Sequence, residues 1–349
     1  MITWMQKTAL ALENRGHQVF IISHPQSEFT SKSDKRLKLI PRKLGFMYNL
    51  FTSFWLVKFI RKNGINLVVA NIEKEIVAGG LAAKICKIPL LRRVGNQGDF
   101  KKAMKYRLHH NLFVDHTMTI SEFTKKESLK KVTWLDADKF SVIYHGRNIK
   151  KFAQSEISAE KVRLGIAKDN FVLGITSRLD KEKGIADVIK AFGLLSSSYR
   201  EIVLVITGVG EELPSLKKIV QNLRIGEKVI FAGFTSNPLL RAAIYDIALT
   251  YTYNEAIPNT LFEYLSVGCA TISSSVGGIP ELIKNGLNGL LVEQKSPQKL
   301  AEKIAFLIEN NDKRESLSKG ALRTMEEEFS EESMINNLER LYGNLVRRF

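Results

Sequence analysis

The sequence predicts an α/β protein built from two doubly wound domains, and three observations carry that expectation. At 349 residues the chain is longer than one core usually organises. Short apolar runs of strand length alternate with stretches of helical spacing, the order that yields a parallel sheet covered on both faces. The alternation comes in two series, with the polar, poorly patterned residues 148–159 between them as the expected linker.

The first series opens on a helix. Residues 6–14 place Ala9, Leu10 and Leu12 at helical spacing, Arg15-Gly16-His17 ends the run, and residues 18–23 read as a buried strand. A basic loop, 35–43, leads to a helix over about 48–62, which stops at Asn63-Gly64 before a strand at 65–70. That helix carries the aromatic stripe Phe51, Phe54, Trp55 and Phe59, expected to face the core because the next strand needs a cover; a membrane face is the competing reading. Helix 76–86, strand 89–92, helix 101–112, strand 116–120, helix 122–131 and strand 140–144 complete the series. The second series has strands at 171–176, 202–207, 229–232, 247–251, 271–274 and 289–292, with helices between them. The expected division is a first domain over 1–150, rejoined by a C-terminal helix at about 333–349, and a second domain over 151–332.

Charge is distributed unevenly. Residues 1–150 hold 27 Lys and Arg against 11 Asp and Glu, whereas residues 151–349 hold 25 of each, so the whole net charge of +16 falls in the first half. A one-sided basic field attracts anionic membrane surfaces, nucleic acid and phosphorylated substrates alike. Nucleic acid is the least expected partner, because the basic residues lack the interleaved stacking aromatics of a single-strand groove. Cys86 and Cys269 each sit in apolar surroundings, as reduced packing thiols do, which points to the reducing cytosol. No run of about 18 apolar residues is present, and the amino end lacks the order of a signal peptide. The expected location is the cytoplasm, with peripheral attachment to the inner face of the cell membrane through the basic half.

In open parallel sheets ligands sit beyond the carboxyl ends of the strands, so the loops of the second series are the place to look for chemistry. After strand 171–176 comes Ser177-Arg178-Leu179-Asp180-Lys181-Glu182-Lys183-Gly184. Arg178 offers a planar fork and Lys183 a point charge, the pair a departing diphosphate needs; an exposed charged turn is the plain alternative. After strand 202–207 comes Gly208-Val209-Gly210-Glu211, which begins like a dinucleotide fingerprint but puts Leu213 where its third glycine belongs. Gly208 is therefore expected to serve a tight turn that lets a ligand approach. After strand 247–251 comes Asn254-Glu255-Ala256-Ile257-Pro258-Asn259-Thr260-Leu261-Phe262-Glu263-Tyr264. Pro258 and Asn259 suit a helix start, whose amides near Thr260 and Leu261 are expected to point unpaired at a phosphate. Glu263, one turn on, is placed to accept from ribose hydroxyls, and Glu255 to face a sugar.

These residues resemble the family 4 retaining glycosyltransferases of the GT-B fold. The family's E-x7-E pattern matches Glu255 and Glu263, and its diphosphate contacts match Arg178 and Lys183. Val276-Gly277-Gly278-Ile279-Pro280-Glu281, Asn285-Gly286, Asn288-Gly289-Leu290-Leu291-Val292 and Val229-Ile230-Phe231-Ala232-Gly233 stand in the family's order, so the match is dense over about 142–329. Ala256 departs from the glycine common after the first Glu.

The resemblance implies two Rossmann-like domains with a cleft between them, and a metal-independent transfer from a nucleotide-diphosphate sugar with retention at the anomeric carbon. It implies that Arg178 and Lys183 stabilise the leaving diphosphate, that Glu255 holds the sugar hydroxyls, and that the leaving phosphate takes the acceptor's proton. No cofactor and no metal are implied. Asp136-Ala137-Asp138 lies in a polar turn far in sequence from the donor residues, and His109, His110 and His116 lack further ligands, so surface or helix-end histidines are expected. In the first half, Asn71-Ile72-Glu73-Lys74-Glu75 and Leu91-Arg92-Arg93-Val94-Gly95 are similar to members acting on bacterial surface glycans or lipopolysaccharide. Arg92 and Arg93 are expected at the cleft, against an anionic glycolipid or glycan acceptor.

Family members open with a strand and a glycine-rich loop before the helix leading to Arg-Gly-His. Here Met1 already belongs to that helix, so the expectation is a misplaced start or a truncated gene. Two other functions compete: a nucleotide-sugar epimerase of the same fold, and a truncated, non-catalytic transferase-like binding protein.

Overall fold

The computed structural model describes residues 2–32, 34–43, 50–95 and 99–349. It divides into two compact units, Met1–His145 with Glu332–Phe349, and Gly146–Glu331.

The first unit runs α1 (Ile2–Asn14), β1 (Phe20–Ser23), α2 (Glu28–Lys32), β2 (Lys38–Pro41), α3 (Leu50–Asn63), β3 (Val68–Ala70), α4 (Glu73–Cys86), β4 (Leu90–Val94), α5 (Met104–Phe113), β5 (His116–Thr119), α6 (Glu122–Lys131) and β6 (Phe140–Val142). Its strands form two parallel sheets, β1-β2 and β3-β4-β5-β6. The start of α6 is dictated locally, because the Ser121 hydroxyl accepts from the Thr124 amide at 3.0 Å and caps the first turn.

The second unit runs α7 (Gln154–Arg163), β7 (Phe171–Thr176), α8 (Ile185–Leu195), β8 (Ile202–Thr207), α9 (Leu213–Asn222), β9 (Val229–Gly233), α10 (Pro238–Ala243), β10 (Ile247–Thr250), α11 (Asn259–Ser266), β11 (Ala270–Ser274), α12 (Ile279–Leu282), β12 (Leu290–Val292), α13 (Pro297–Glu309) and α14 (Asn311–Glu327). One six-stranded parallel sheet results, in the order β12-β11-β10-β7-β8-β9. Every residue of β8 is buried, and its apolar, mostly β-branched sequence Ile-Val-Leu-Val-Ile-Thr suits a strand covered on both faces. α8 turns Ile185, Val188, Ile189, Phe192 and Leu195 onto the sheet at helical spacing. Gly174 in β7 is obligatory, since a Cβ there would stand 2.2 Å from the Tyr245 ring.

The last helix, α15 (Glu331–Val346), packs Met334, Ile335, Leu338 and Leu345 against Leu12, Leu91, Met118 and Ile143 of the first unit. Glu339 holds Arg15 at 2.6 Å and His17 at 2.9 Å, so the residues that end α1 are tied to α15.

Several local expectations need correcting. The basic loop 35–43 contains β2, which pairs in register with β1 from Phe20↔Lys38 to Ser23↔Pro41. An edge strand flanked by lysines hides its alternation, and Pro41 is tolerated at such an edge. The linker 148–159 contains the start of α7, which is anchored by a contact remote in sequence: Glu160 accepts from the wholly buried Arg241 at 2.9 Å. The helix expected over 48–62 is α3; its first expected residues, Tyr48 and Asn49, lie outside the described residues. The aromatic stripe of α3 is split. Phe51 and Phe54 are 87% and 61% exposed, Trp55 and Phe59 stack at 5.2 Å, and the inward face is Thr52, Ser53, Leu56, Val57 and Ile60.

The three histidines are buried rather than superficial. His109 Nδ1 lies 2.8 Å from Glu73 and His116 Nε2 lies 2.8 Å from Ser141. His110 packs 5.4 Å from the Trp134 ring, and burial, with Arg92 and Lys139 adding to it, pushes its pKa down to about 3. A histidine held neutral in the fold but titrating near 6.5 when unfolded takes up its proton preferentially in the unfolded chain between those values. Its contribution to stability is therefore complete above about pH 6.5 and declines as the pH falls towards about 3. Trp4, Trp55 and Trp134 all belong to the first unit, so tryptophan fluorescence reads its unfolding. The urea midpoint read this way should drop from pH 7 to pH 5, and His110→Phe should flatten that drop; an unchanged slope in the variant contradicts the assignment.

Candidate active site at the switch point of the second sheet

In the second sheet the chain moves outward from β7 through β8 to β9, then returns to the other side of β7 with β10. That reversal leaves the loops after β7 and β10 diverging from a common point, where open α/β sheets bind ligands.

The loop after β7 is laid against the loop after β8. Ser177 donates to the Thr207 carbonyl at 3.0 Å, and Leu179 to the Val209 carbonyl at 3.0 Å. Gly208 (φ +139°) and Gly210 permit this closeness, because a Cβ on them would come within 1.8 Å of the Ser177 oxygen and 2.3 Å of the Leu179 oxygen. The Gly208-Val209-Gly210 run thus shapes the neighbouring loop. A short turn, Lys181–Lys183, then ends on Gly184, whose positive φ carries the chain past the Tyr251 carbonyl.

The loop after β10 is fastened on both sides. Towards β7, the Glu182 carbonyl accepts from the Tyr253 amide at 2.8 Å and the Thr252 hydroxyl at 2.9 Å. Towards β11, the Gly278 amide donates to Ala256 at 2.7 Å, and Gly277 (φ +59°) passes so near that a Cβ would meet the Glu255 carbonyl at 1.7 Å. Ala256 is buried and is not among the described non-glycine residues with positive φ, so an alanine fits where the family often has glycine.

These constraints put Lys183 and Glu255 together as an ion pair spanning the two loops, with both side chains partly solvent-accessible. Arg178 stands out from the same loop, its side chain 81% exposed and paired with Asp180 at 3.1 Å. Glu263 sits one turn into α11, buried, with Oε1 accepting from Arg147 at 3.2 Å. The helix start differs from expectation in one respect. α11 does begin after Pro258, but the Leu261 amide donates to the Pro258 carbonyl at 3.1 Å and its side chain is fully buried. The first turn closes tightly on itself, so Leu261 presents no free donor. Asn259 and Thr260 remain partly or wholly exposed beside it.

Two residues at this site escaped sequence reasoning. Arg147 lies at the edge of the expected linker in no recognisable pattern, and its partner Glu263 is 116 residues away. Tyr264 follows the Glu and looks like packing, yet its hydroxyl accepts from the Thr176 amide at 2.7 Å and pins α11 to the end of β7. Its burial, with Tyr245 beside it, raises the phenol well above its usual range, so it stays a neutral structural group.

Arg92 and Arg93 are not displayed to a ligand in this structure. They are 2% and 4% exposed, stacked over Phe100 at 4.2 Å and Trp4 at 4.1 Å. Arg92 donates to the Asp99 carbonyl at 2.8 Å, and Arg93 lies 3.3 Å from His145 Nε2. Burial lowers both pKa values, Arg93 to about 10. Their aromatic partners come from distant positions, which β4 read alone does not reveal. Asp136 caps the turn that holds Asp138, accepting from the Asp138 amide at 3.0 Å, and no metal-sized group of His, Cys, Asp or Glu exists among the described residues.

Comparison with known proteins follows the two units. The family model described as glycosyl transferases group 1 matches residues 156–324, and that described as Glycosyltransferase Family 4 matches residues 3–151. The chain is 25% identical over 205 residues to the N-acetyl-alpha-D-glucosaminyl L-malate synthase of Bacillus anthracis, over 59% of this chain and 54% of that protein. It therefore spans about half the length of that relative. It is 26% identical to the alpha-monoglucosyldiacylglycerol synthase of Acholeplasma laidlawii over 96% of this chain and 91% of the relative. Among solved structures, HepE of Anabaena in complex with UDP and glucose superposes with a TM-score of 0.83 at 20% identity, covering 99% of this chain and 96% of that one. The fold is GT-B, two Rossmann-like α/β domains.

The close passage of Gly277 beside Glu255 yields a test. Gly277→Ala should lower stability by more than about 2 kcal/mol, since positive φ and the carbonyl contact act together, whereas Gly286→Ala, in open space at φ +82°, should lose only the backbone term of about 1–2 kcal/mol. Equal losses in urea titrations would refute the packing argument.

Proposed function

The chain belongs to the family 4, group 1 glycosyltransferases, and we propose that it transfers a sugar from a nucleotide-diphosphate sugar to a glycan or glycolipid acceptor, with retention and without a metal. The observation that carries this reading is the Lys183–Glu255 ion pair across the loops after β7 and β10. A cation and a carboxylate poised at a switch point suit a ligand whose phosphate and sugar lie side by side.

On binding, the diphosphate draws Lys183 away from Glu255 and is clasped by the fork of Arg178, itself exposed and paired with the half-buried Asp180. Glu255 then accepts hydrogen bonds from the donor sugar's hydroxyls, and Glu263 from those of the ribose. Gly208, Pro258, Asn259 and Thr260 line the approach of the nucleotide. The bond from the anomeric carbon to the diphosphate oxygen breaks, the acceptor oxygen attacks from the same face, and its proton passes to the departing phosphate. No protein nucleophile enters, and the two cations supply the charge that stabilises the leaving group. A donor of this kind is supported by the bound UDP and glucose of the Anabaena protein.

The acceptor is placed in bacterial surface polysaccharide or lipopolysaccharide synthesis, on the cytoplasmic face of the membrane. The name of the Acholeplasma relative, a glycolipid synthase, supports a membrane-borne acceptor. No helix among the described residues is long and apolar enough to cross a membrane. Contact is assigned instead to α5, where Met104, Leu108 and Leu112 form an exposed stripe beside Lys101, Lys102, Lys105 and Arg107.

Lys183→Ala and Glu255→Gln should each lower kcat/KM for the donor by at least about 100-fold, the scale of one lost charge stabiliser, with the fold intact by circular dichroism. Full turnover in either variant would sink the assignment. For the membrane, sedimentation with phosphatidylglycerol vesicles should weaken about tenfold in Leu108→Ser/Leu112→Ser and be released by high salt. Binding indifferent to both would remove α5 from that role.

A further inference from the structure

Glu263 is carried on a helix whose course is already fixed. The Tyr264 hydroxyl beside it ties α11 to the end of β7 through the Thr176 amide, and the Ser266 hydroxyl donates to the Glu263 carbonyl at 2.9 Å. These contacts set the backbone of Glu263 but not the tip of its side chain, because the last torsion of a glutamate is broad and two-fold. The Arg147 guanidinium reaches that tip. Its Nη2 lies 3.2 Å from Glu263 Oε1, in a pair whose side chains are 17% and 11% exposed.

Arg147 is itself aimed by the backbone. Its amide donates to the Phe329 carbonyl at 2.8 Å, and the Phe329 ring meets that of Phe262, the residue before Glu263, edge-on at 5.9 Å. Three residues on, the Lys150 amide donates at 2.9 Å to the carbonyl of Ser266, the last residue of α11. The segment is therefore fastened along α11 without the Arg147 side chain. A mostly buried ion pair on top of these contacts adds little stability, since desolvating both charges offsets their attraction. Its consequence is orientation.

We propose that Arg147 is a positioning residue for the nucleotide's ribose: by holding Oε1 it fixes the plane of the Glu263 carboxylate, which then meets the 2′ and 3′ hydroxyls in one geometry. An ionised carboxylate has about four acceptor positions, so a contact with Arg147 is compatible with two more from hydroxyls. Arginine suits the task, because its planar fork is directional where a lysine ammonium is a point charge. A carboxylate held in this way tells ribose from a sugar without hydroxyls, since a deoxy ligand forfeits its charge-assisted hydrogen bonds. The proposal rests on the reading that places the ribose at Glu263.

The test is calorimetric binding to the full chain of whichever of ADP, GDP, CDP and UDP binds most tightly, compared with its 2′,3′-dideoxy counterpart. The unaltered chain should prefer the ribose form by about 30-fold, the scale of hydrogen bonding to a charged group, and Glu263→Ala should abolish that preference. Arg147→Gln should cut the preference to about threefold while changing the affinity for the dideoxy form by less than about threefold. Arg147→Lys, which keeps the charge without the fork, should retain a preference of about tenfold. If Glu263→Ala loses the preference and Arg147→Gln keeps all of it, the ribose reading stands and the proposal falls. Equal weakening of both nucleotides by Arg147→Gln, as a direct contact with phosphate requires, also overturns it. Should that variant not fold, a full preference in Arg147→Lys does the same. No preference in the unaltered chain, or no binding of any of the four, removes the ribose from Glu263 and the proposal with it.

Discussion

The candidate site depends on how closely three loops can approach at the carboxyl ends of β7, β10 and β11. Lys183 and Glu255 are 72 residues apart and meet only because Glu182 and Tyr253 share a backbone hydrogen bond while Gly277 passes within side-chain distance of Glu255. The sheet order supplies the divergence of the loops, and the glycines and carbonyl contacts supply the precision. Backbone contacts thus fix the two loops that carry this cation and carboxylate, while the four-carbon stem of Lys183 can still turn.

Around this centre the second unit is braced by buried polar contacts. Tyr264 fixes α11 to β7, Arg241 joins α7 to β8 through Glu160 and the Thr207 hydroxyl at 2.9 Å, and Tyr253 donates to Asp187 at 2.8 Å. Each satisfies a donor that would be expensive to bury alone. The first unit uses its polar residues differently. Arg92 and Arg93, in the middle of a fully buried strand, spread their guanidinium planes on aromatic rings, and His109 answers Glu73. The side chains expected to meet an acceptor instead hold the unit together, while its surface carries the apolar and basic stripe of α5.

Much of this was legible in the sequence. β7 and β8 were bounded correctly because six-residue apolar runs buried on both faces leave no ambiguity of period, and α6 because its serine cap and charged last turn mark both ends. The placement of Arg178, Lys183 and Glu255 on loops at strand ends followed from the same alternation. What escaped notice rests on contacts distant in the chain. β2 exists because β1 offers an edge, α7 is anchored by an arginine 81 residues on, and Arg147 reaches Glu263 from a stretch without pattern. The closed first turn of α11 has no mark in the sequence, because a residue that suits a helix start does not show that its carbonyl also receives the Leu261 amide.

The central claim is that the Lys183–Glu255 pair opens to receive a diphosphate. A crystal structure of the chain grown with a nucleoside diphosphate tests it most directly. The account predicts Lys183 Nζ within about 3 Å of a phosphate oxygen, Arg178 turned from Asp180 onto the same group, and the ribose within hydrogen-bonding reach of Glu263. A nucleotide bound elsewhere, with Lys183 still paired to Glu255, would contradict it.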